Sequence, residues 1–342
     1  MGYHPPNTSD DSTTPASDPI TSPGAVATES APATPFPAEE RTKPWLTWIF
    51  AAICVGIFVG VNLSGDASSW EGMRRWGAPP AQTIWHGAYW ALVTSVFVHL
   101  AIWHLAFNLY WLWILGRVLE STIGSMRWLA FFVASAIVSS AAQLAVSGAT
   151  GIGLSGVLYA VFGFMWVGRR AYPGFARVLP PQTVRLFLGW LVVCVVLTAL
   201  DVWKVGNAAH IGGLLFGLGV GWAFVVVPRA RWPKLALGAL SLAATVVSLS
   251  WCPWSFEWVA ARAYDAHARG DYAAAVEGYL RCERFHEQTV WVTQNLALAY
   301  IAMGDADRYG ATMKKLRSMD PEAAREVDRN LAGLPSTTPR PE

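Results

Sequence analysis

The stretch GLSGVLYAVFG spans residues 153–163 and places one serine, Ser155, in an otherwise apolar segment. A second stretch, NAAHIGG at residues 207–213, surrounds His210 with mostly small residues. Polar groups inside membrane helices are costly, so they face the bundle interior and mark functional sites. Because a serine hydroxyl needs a base to become a nucleophile at neutral pH, His210 is the candidate partner. The two stretches therefore predict a hydrolytic serine–histidine pair inside a membrane protein.

Small residues recur at helical spacing after both polar side chains. On the serine segment they are Gly156, Ala160 and Gly163, and on the histidine segment they are Gly213, Gly217 and Gly221. Faces of small residues let membrane helices approach closely, which a hydrogen bond between Ser155 and His210 requires. Tyr159 lies one turn beyond Ser155. We expect its ring to stack on the imidazole and to orient it, since no carboxylate is available there.

A third stretch, HLAIWHLAFN at residues 99–108, supplies further polar groups. His104 and Asn108 are four residues apart and therefore share one helix face. An acyl-transfer site needs hydrogen-bond donors for the oxyanion that develops on the substrate carbonyl. We predict that His104, Asn108 and the backbone N–H of Ser155 supply them.

The composition is that of a membrane protein. Of 342 residues, 54% are hydrophobic and 14% are charged, and the mean hydropathy is +0.34. Soluble domains carry about a quarter charged residues, and the 19 Trp residues suit a membrane interface. A net charge of +2 without a basic stripe argues against nucleic-acid binding. The cysteines form no CxxC pair or metal-ligand cluster, so we expect neither a metal nor another cofactor.

Seven apolar segments predict an all-α, polytopic membrane domain over residues 45–253, because each is near the ~20 residues that cross the hydrocarbon core. They lie at about 45–63, 101–116 (extending through Glu120), 128–147, 154–168, 186–203, 208–227 and 235–252. The Trp-rich stretch 64–100 is only partly apolar and predicts an interfacial loop with amphipathic pieces. Residues 1–44 are rich in Pro, Ser, Thr and Ala and predict a disordered tail, as does the segment 333–342. Because residues 1–44 lack a secretory signal pattern, we expect the first apolar segment to remain as an anchor.

Arginines and lysines in the short loops predict the orientation of the chain. The positive residues that fall on one side when the N-terminus is cytoplasmic are Arg41, Lys43, Arg117, Arg127, Arg169, Arg170, Arg177, Arg185, Arg229, Arg231 and Lys234. The opposite short loops, 148–153 and 204–206, carry only Lys204, and the long loop adds Arg74 and Arg75. We therefore predict a multi-pass protein of the bacterial plasma membrane. Its N-terminus is cytoplasmic, and both the polar site and the C-terminal domain are extracytoplasmic.

Residues 255–332 are less apolar and contain an internal repeat. Gly270-Asp271 recurs as Gly304-Asp305, a spacing of 34 residues. That is the period of the tetratricopeptide helix-turn-helix repeat, so we predict a short segment of this type that could recruit a partner protein. Only two units are visible, and the repeat's Trp-Leu-Gly opening is absent. Cys252 and Cys282 would both lie outside the cytoplasm, where a disulfide could join them.

Together, His-x4-His-x3-Asn, Gly-x-Ser-Gly and Ala-His-x2-Gly-x3-Gly resemble the signature of the rhomboid intramembrane serine proteases. The resemblance covers about residues 45–227 and implies a six-helix core, here with a seventh transmembrane helix. It further implies that Ser155 is the nucleophile and His210 the general base. The supporting residues that it implies are His104, Asn108, Tyr159, Gly153, Gly156 and, as a structural neighbour, His99.

Two further positions bear on the resemblance. Glu120 matches a polar position that helps to hold the family's helices together. Many rhomboids carry Trp-Arg in the loop before the second span, whereas this chain has Trp90-Ala91. The substitution puts the loop geometry in doubt, and Arg74 or Arg75 could compensate for it.

The predicted function is therefore cleavage of transmembrane protein substrates in the lipid bilayer, near its extracytoplasmic face. Small or helix-weakening residues are the expected cleavage context, because a helical backbone must unwind before a carbonyl is exposed. The alternatives are a non-proteolytic rhomboid-like scaffold or quality-control binder and, last, a transporter. Asp201 is interpreted as a hydrated residue at a helix end, not as a third catalytic residue. The sequence leaves the substrate, the role of the repeats and the oligomeric state open.

Overall fold

A computed structural model describes the fold of residues 1–2, 43–65, 69–283, 285 and 289–332. All elements below lie within Thr34–Glu342. The tails that we predict to be disordered, 1–44 and 333–342, lie outside the described residues apart from positions 1–2 and 43–44.

The elements in the described ranges of the membrane part are all helices, joined by short loops. Its helices are α1 (Trp45–Ser64), α2 (Trp70–Arg75), α3 (Ala81–Trp85), α4 (Ala91–Phe97), α5 (Ile102–Ile123), α6 (Ser125–Ser147), α7 (Ser155–Gly168), α8 (Pro173–Val178), α9 (Pro181–Ala199), α10 (Asn207–Val226) and α11 (Trp232–Ser250). The three short helices α2 to α4 occupy the predicted interfacial loop, and none of them is by itself long enough to cross a membrane.

The length and hydropathy of the helices support a polytopic membrane protein. Among the described residues, α1, α6, α9, α10 and α11 are long and apolar enough to cross a membrane, and α5 qualifies only together with α4, from which it bends by 103°. The remaining predicted span, α7, has 14 residues. Multi-pass character is therefore confirmed, whereas the count of six core helices plus a seventh stays a prediction.

Helices α7 and α10 pack in closer contact than ordinary side chains allow. A Cβ atom built at Gly163 on α7 would lie 2.7 Å from the carbonyl oxygen of Leu214 on α10. A Cβ at Gly213 on α10 would lie 3.0 Å from the carbonyl carbon of Gly156 and closer still to its oxygen. The predicted small-residue faces therefore meet each other, and they bring the two helix backbones into contact.

A buried carboxylate joins three helices at the end of the bundle opposite the serine. Glu120 on α5 accepts hydrogen bonds from the backbone N–H of Leu46 (3.0 Å) and Thr47 (2.8 Å), and from the hydroxyls of Thr47 and Ser125 (both 2.7 Å). Because the first N–H groups of a helix have no partner within it, Glu120 caps α1 while it also binds the start of α6. The holding role expected of Glu120 therefore has a specific structural basis.

Five further helices form the C-terminal segment: α12 (Phe256–Ala268), α13 (Tyr272–Glu283), α14 (Val290–Ala302), α15 (Ala306–Met319) and α16 (Pro321–Ala332). Helices α12 and α14 begin 34 residues apart, and so do α13 and α15. All five begin after a residue whose side chain accepts a backbone N–H; these residues are Ser255, Asp271, Thr289, Asp305 and Asp320. The spacing agrees with the predicted repeat, although its assignment to the tetratricopeptide class stays a prediction.

Two cysteines that we considered for a disulfide are not joined. Cys252 and Cys282 are both buried thiols, and the Cys252 sulfur lies 3.6 Å from the carbonyl oxygen of Val247, at the end of α11.

Candidate active site

The serine and the histidine meet at one end of the helix bundle. Ser155 is the first residue of α7, and His210 is the fourth residue of α10. The Ser155 Oγ lies 2.7 Å from His210 Nε2, within hydrogen-bond distance. His210 is 4% exposed, so its ring is held by the protein. The predicted pair is therefore assembled in the geometry that proton transfer from a hydroxyl to an imidazole requires.

Tyr159 packs on the histidine as predicted. The two ring centroids are 4.7 Å apart, with an interplanar angle of 31°. The Tyr159 hydroxyl donates a hydrogen bond of 3.0 Å to the carbonyl oxygen of Phe187 on α9, which fixes the tyrosine ring in turn. The Nδ1 atom of His210 has no hydrogen-bond partner among the described residues. Ring packing against Tyr159 therefore orients the imidazole where a carboxylate does so in a catalytic triad.

The side chains predicted to bind an oxyanion, His104 and Asn108, line the same cavity as the serine. Asn108 is buried, and its Nδ2 donates 2.9 Å to the carbonyl oxygen of His104, one turn earlier. One amide hydrogen is therefore already engaged, and only the second is available to a substrate. Their role as oxyanion donors stays a prediction.

Gly153 and His99 shape the wall next to the serine. Gly153 has a φ of +96°, and a Cβ there would lie 2.6 Å from Nε2 of His104. Only glycine adopts this conformation without strain and leaves room for the imidazole. His99 is fully buried, its ring centroid is 4.9 Å from that of His104, and its Nδ1 donates 3.1 Å to the carbonyl oxygen of Phe97. These contacts agree with the structural role expected of His99.

Gly156 completes the set of predicted positions. A Cβ at this residue would lie 2.8 Å from the side chain of Ser139 on α6 and 3.3 Å from the carbonyl oxygen of Ala209 on α10. The residue after Ser155 must therefore be glycine if α6, α7 and α10 are to keep their separation.

A cavity of about 1060 Å³ opens onto the pair. Ser155, His210, His104 and Asn108 all line it. Most of the remaining lining is apolar, and aromatic side chains of α5 and of the segment from α9 to α10 pack across one side of it. These aromatic contacts are Trp103–Trp203, with centroids 4.5 Å apart, and Phe107–Trp190, at 5.8 Å. An apolar cavity with a few convergent polar groups is the usual form of a substrate site.

Sequence reasoning missed Gln143, a polar residue of α6 that lines the same cavity. Its Oε1 accepts a hydrogen bond of 3.0 Å from the backbone N–H of Ala209, and its Nε2 donates 2.8 Å to the hydroxyl of Ser147. Gln143 therefore caps the start of α10 one residue before His210. The signal was available, because a glutamine inside an apolar span is as unusual as the serine.

Ala91 stands where many rhomboids carry an arginine. It is fully buried in an apolar cluster with Ile84, Trp85 and Leu144 of the membrane part. Arg74 and Arg75, the residues that could compensate, are exposed on α2, and compensation by them stays a prediction. Asp201 is exposed at a helix end, in agreement with its interpretation. Within the described ranges, no group of three or more His, Cys, Asp or Glu side chains could hold a metal ion.

Fold and site together define a polytopic helical membrane protein with a part-buried serine–histidine pair. Residues 86–227 match the model of the Rhomboid domain. The matched residues fall within the part of the chain, about residues 45–227, that resembles the rhomboid proteases in sequence.

Curated rhomboid proteases also match the chain. The chain is 33% identical over 195 residues to the "Rhomboid protease GlpG" of Salmonella paratyphi A, a match that covers 56% of this chain and 66% of that protein. The proteins of the same name from Salmonella choleraesuis and Salmonella typhi match with the same identity and coverage. The chain thus spans slightly less than two thirds of the length of these relatives.

Proposed function

We propose that this protein is an intramembrane serine endopeptidase in which Ser155 is the nucleophile and His210 the general base. The observation that carries the proposal is the 2.7 Å separation of Ser155 Oγ and His210 Nε2 at the wall of a large apolar cavity. The rhomboid domain over residues 86–227 and the relatives' printed name, rhomboid protease, support the same activity.

The contacts suggest the following sequence of steps. The Ser155 hydroxyl gives its proton to His210 Nε2 as Oγ attacks a peptide carbonyl, and the imidazolium then protonates the leaving amine. The acyl group remains on Oγ as an ester until water, deprotonated by the same imidazole, hydrolyses it and restores the hydroxyl. Tyr159 keeps the ring in place through both transfers, because its own hydroxyl is bonded to α9.

Stabilisation of the oxyanion would come from the start of α7. The first N–H groups of a helix lack partners within it, and the positive end of the helix dipole lies there. Ser155 is the first residue of α7, so its own N–H is one of these donors. The second amide hydrogen of Asn108 and the half-buried imidazole of His104 are the side-chain donors that line the same cavity.

The expected substrates are transmembrane segments of other proteins. An apolar cavity inside the bundle suits such a segment, and a carbonyl becomes available only where the substrate helix unwinds. The arginine distribution supports cleavage near the extracytoplasmic face of a bacterial plasma membrane, with the C-terminal segment on the same side. We interpret that segment as a tetratricopeptide-type unit because of its paired 34-residue offsets, and it could bind a partner protein.

The proposal is tested in lipid nanodiscs with a transmembrane substrate and a serine-directed fluorophosphonate. Wild type is compared with Ser155→Ala and His210→Ala. Ser135→Ala is the matched control, because Ser135 is also buried in a membrane helix but only donates 2.6 Å to the carbonyl oxygen of Phe131. We expect cleavage and labelling by wild type and Ser135→Ala, and neither by the other two.

Two outcomes would contradict the proposal. Equal cleavage by all four proteins would implicate a contaminating protease. Folded wild type that neither cleaves nor labels would favour the non-proteolytic scaffold, in which the same shell binds membrane proteins without hydrolysing them.

A further inference from the structure

The first C-terminal helix, α12, is in direct contact with the loop that precedes α5. Asp265 Oδ2 lies 3.0 Å from His86 Nε2, and its Oδ1 lies 3.5 Å from Gln82 Nε2. On the same helix, Trp258 and Ala261 pack against the apolar cluster that contains Ala91. The side chain of Asp265 is 14% exposed, whereas that of His86 is 50% exposed, so the carboxylate is the shielded partner of this contact.

Helix α11 and the turn after it reinforce the contact. Trp85 Nε1 donates 3.0 Å to the carbonyl oxygen of Ser248, near the end of α11. Trp254, in the turn between α11 and α12, donates 2.8 Å from Nε1 to the carbonyl oxygen of Ala145 near the end of α6. The C-terminal part of the chain therefore binds both to the loop that precedes α5 and to the helix that leads to the loop before α7.

A third contact lies where α6 ends. Gly148 has a φ of +60°, and a Cβ there would lie 2.8 Å from Cδ of Glu257 on α12. The first turn of α12 therefore packs directly on Gly148, the first residue of the loop that leads to Ser155. Glycine is needed at position 148 because the positive φ disfavours other residues and because a Cβ atom would overlap the side chain of Glu257.

Both loops held in this way lead directly to the serine. Two residues near the end of the loop 81–97 contact the site. The carbonyl oxygen of Ser95 accepts a hydrogen bond of 3.4 Å from the N–H of Gly153, and the carbonyl oxygen of Phe97 accepts one from His99. Gly153 in turn lies against His104 and precedes Ser155 by two residues. A shift of either loop would therefore move the wall of the site. Of the described residues that line the cavity, His210 is the last in sequence, so α12 does not itself touch the substrate space.

We propose that α12 is a positioning element of the protease: by holding the loop 81–97 and the end of α6, it fixes the geometry around Ser155. Asp265 and Trp258 are its positioning residues, and they act through the loop. The C-terminal segment is then a part of the membrane enzyme that its reaction requires, in addition to any partner that it binds. This inference rests on the proposed function, which supplies the reaction that is measured.

The test uses the full-length protein in nanodiscs, with fluorophosphonate labelling of Ser155 followed in time. The variants are Asp265→Ala, Asp265→Asn and Trp258→Phe. Asp328→Ala is the matched control, since Asp328 is an exposed carboxylate of α16 that pairs with Arg317 (3.1 Å) inside the C-terminal segment. Backbone hydrogen exchange over residues 82–98 and 148–154 is measured on the same samples, because it reports the loops independently of activity.

We expect Asp265→Ala to label about tenfold more slowly than wild type but to the same final stoichiometry, since a displacement of a fraction of an ångström at reacting groups costs about this much. Exchange should accelerate in residues 82–98, while Asp328→Ala should match wild type in both measurements. Asp265→Asn keeps one acceptor oxygen and should recover most of the rate. For Trp258→Phe, which keeps a ring but loses volume in the cluster, we expect a smaller decrease in rate.

Three results would overturn the inference. They are unchanged labelling and exchange in Asp265→Ala, an equal effect of Asp328→Ala, and a lower final stoichiometry at an unchanged rate, which indicates loss of folded protein instead of misplacement. If folded wild type does not label at all, the proposed function fails. Hydrogen exchange would then still decide whether α12 holds the loop.

Discussion

Adding a methyl group between α7 and α10 should slow labelling of Ser155. The decrease in rate should grow with the overlap between the new Cβ atom and the facing helix. Real Cβ atoms essentially never approach other atoms to less than 3.0 Å, and ordinary contact begins at 3.4 Å. In Gly163→Ala the new Cβ starts 2.7 Å from the backbone oxygen of Leu214. The helices must therefore separate by about 0.3–0.7 Å, the difference between those values, because neither backbone can move aside as a flexible side chain would.

The Ser155–His210 bond spans the same two helices, so it lengthens with the separation. A misplacement of about 1 Å costs roughly a hundredfold in rate, and we therefore expect Gly163→Ala to be about tenfold slower. Gly213→Ala overlaps the Gly156 carbonyl more severely, one turn from His210, and should lose about a hundredfold. Overpacking should also lower the free energy of unfolding by about 1–3 kcal/mol.

The assay is the rate of fluorophosphonate labelling, with thermal unfolding measured in parallel. Gly189→Ala on α9 and Gly238→Ala on α11 are matched controls, since a Cβ at either position meets no atom within 4 Å. They should label at the wild-type rate. Wild-type labelling by a folded Gly213→Ala protein would falsify the reasoning, because it would mean that the close approach of α7 and α10 does not set the geometry of the pair.

Three other substitutions test the surrounding structure. Gln143→Leu leaves the N–H of Ala209 buried without its acceptor, so we expect about 1–3 kcal/mol lower stability and slower labelling; wild-type values in both assays would rule out the capping role. Glu120→Ala removes every acceptor that joins α1 to α5 and α6, and it should lower the melting temperature strongly while the labelling rate of the protein that remains folded stays near wild type. A rate loss without a change in melting temperature would contradict this separation of roles. Ala91→Arg forces a charge into a fully buried apolar cluster and should destabilise the loop, seen as faster hydrogen exchange over residues 82–98; slower exchange there would show that the cluster tolerates the arginine.

Which residues meet at the candidate site was largely predictable from the sequence. Ser155 and His210 stand out because polar side chains are rare in apolar segments, and the small residues after them indicate which helix faces meet. The spacing of His104 and Asn108 places both on one face of α5. Each inference uses local periodicity or the cost of burying a polar group, and both act within a single helix.

Contacts between distant segments were less accessible. Nothing in the spacing of Asn108 shows that the His104 carbonyl engages its amide, and no pattern shows that Glu120 reaches the start of α1. The burial of Ala91 depends on Trp258, which lies more than 160 residues later in the chain. Such partners depend on the tertiary arrangement, which a single sequence encodes only through the summed packing of all helices.

The shortness of α7 has a consequence for where the reaction takes place. Its 14 residues span about 21 Å, against about 30 Å of hydrocarbon. We expect Arg169 and Arg170, which follow its last residue, to anchor that end at the polar interface. The shortfall, on the order of 9 Å, would then fall at the Ser155 end and place the hydroxyl below the level of the lipid headgroups. Because most of α7 is buried by neighbouring helices, lipid tails do not meet the short helix, and the bilayer need not thin to accommodate it.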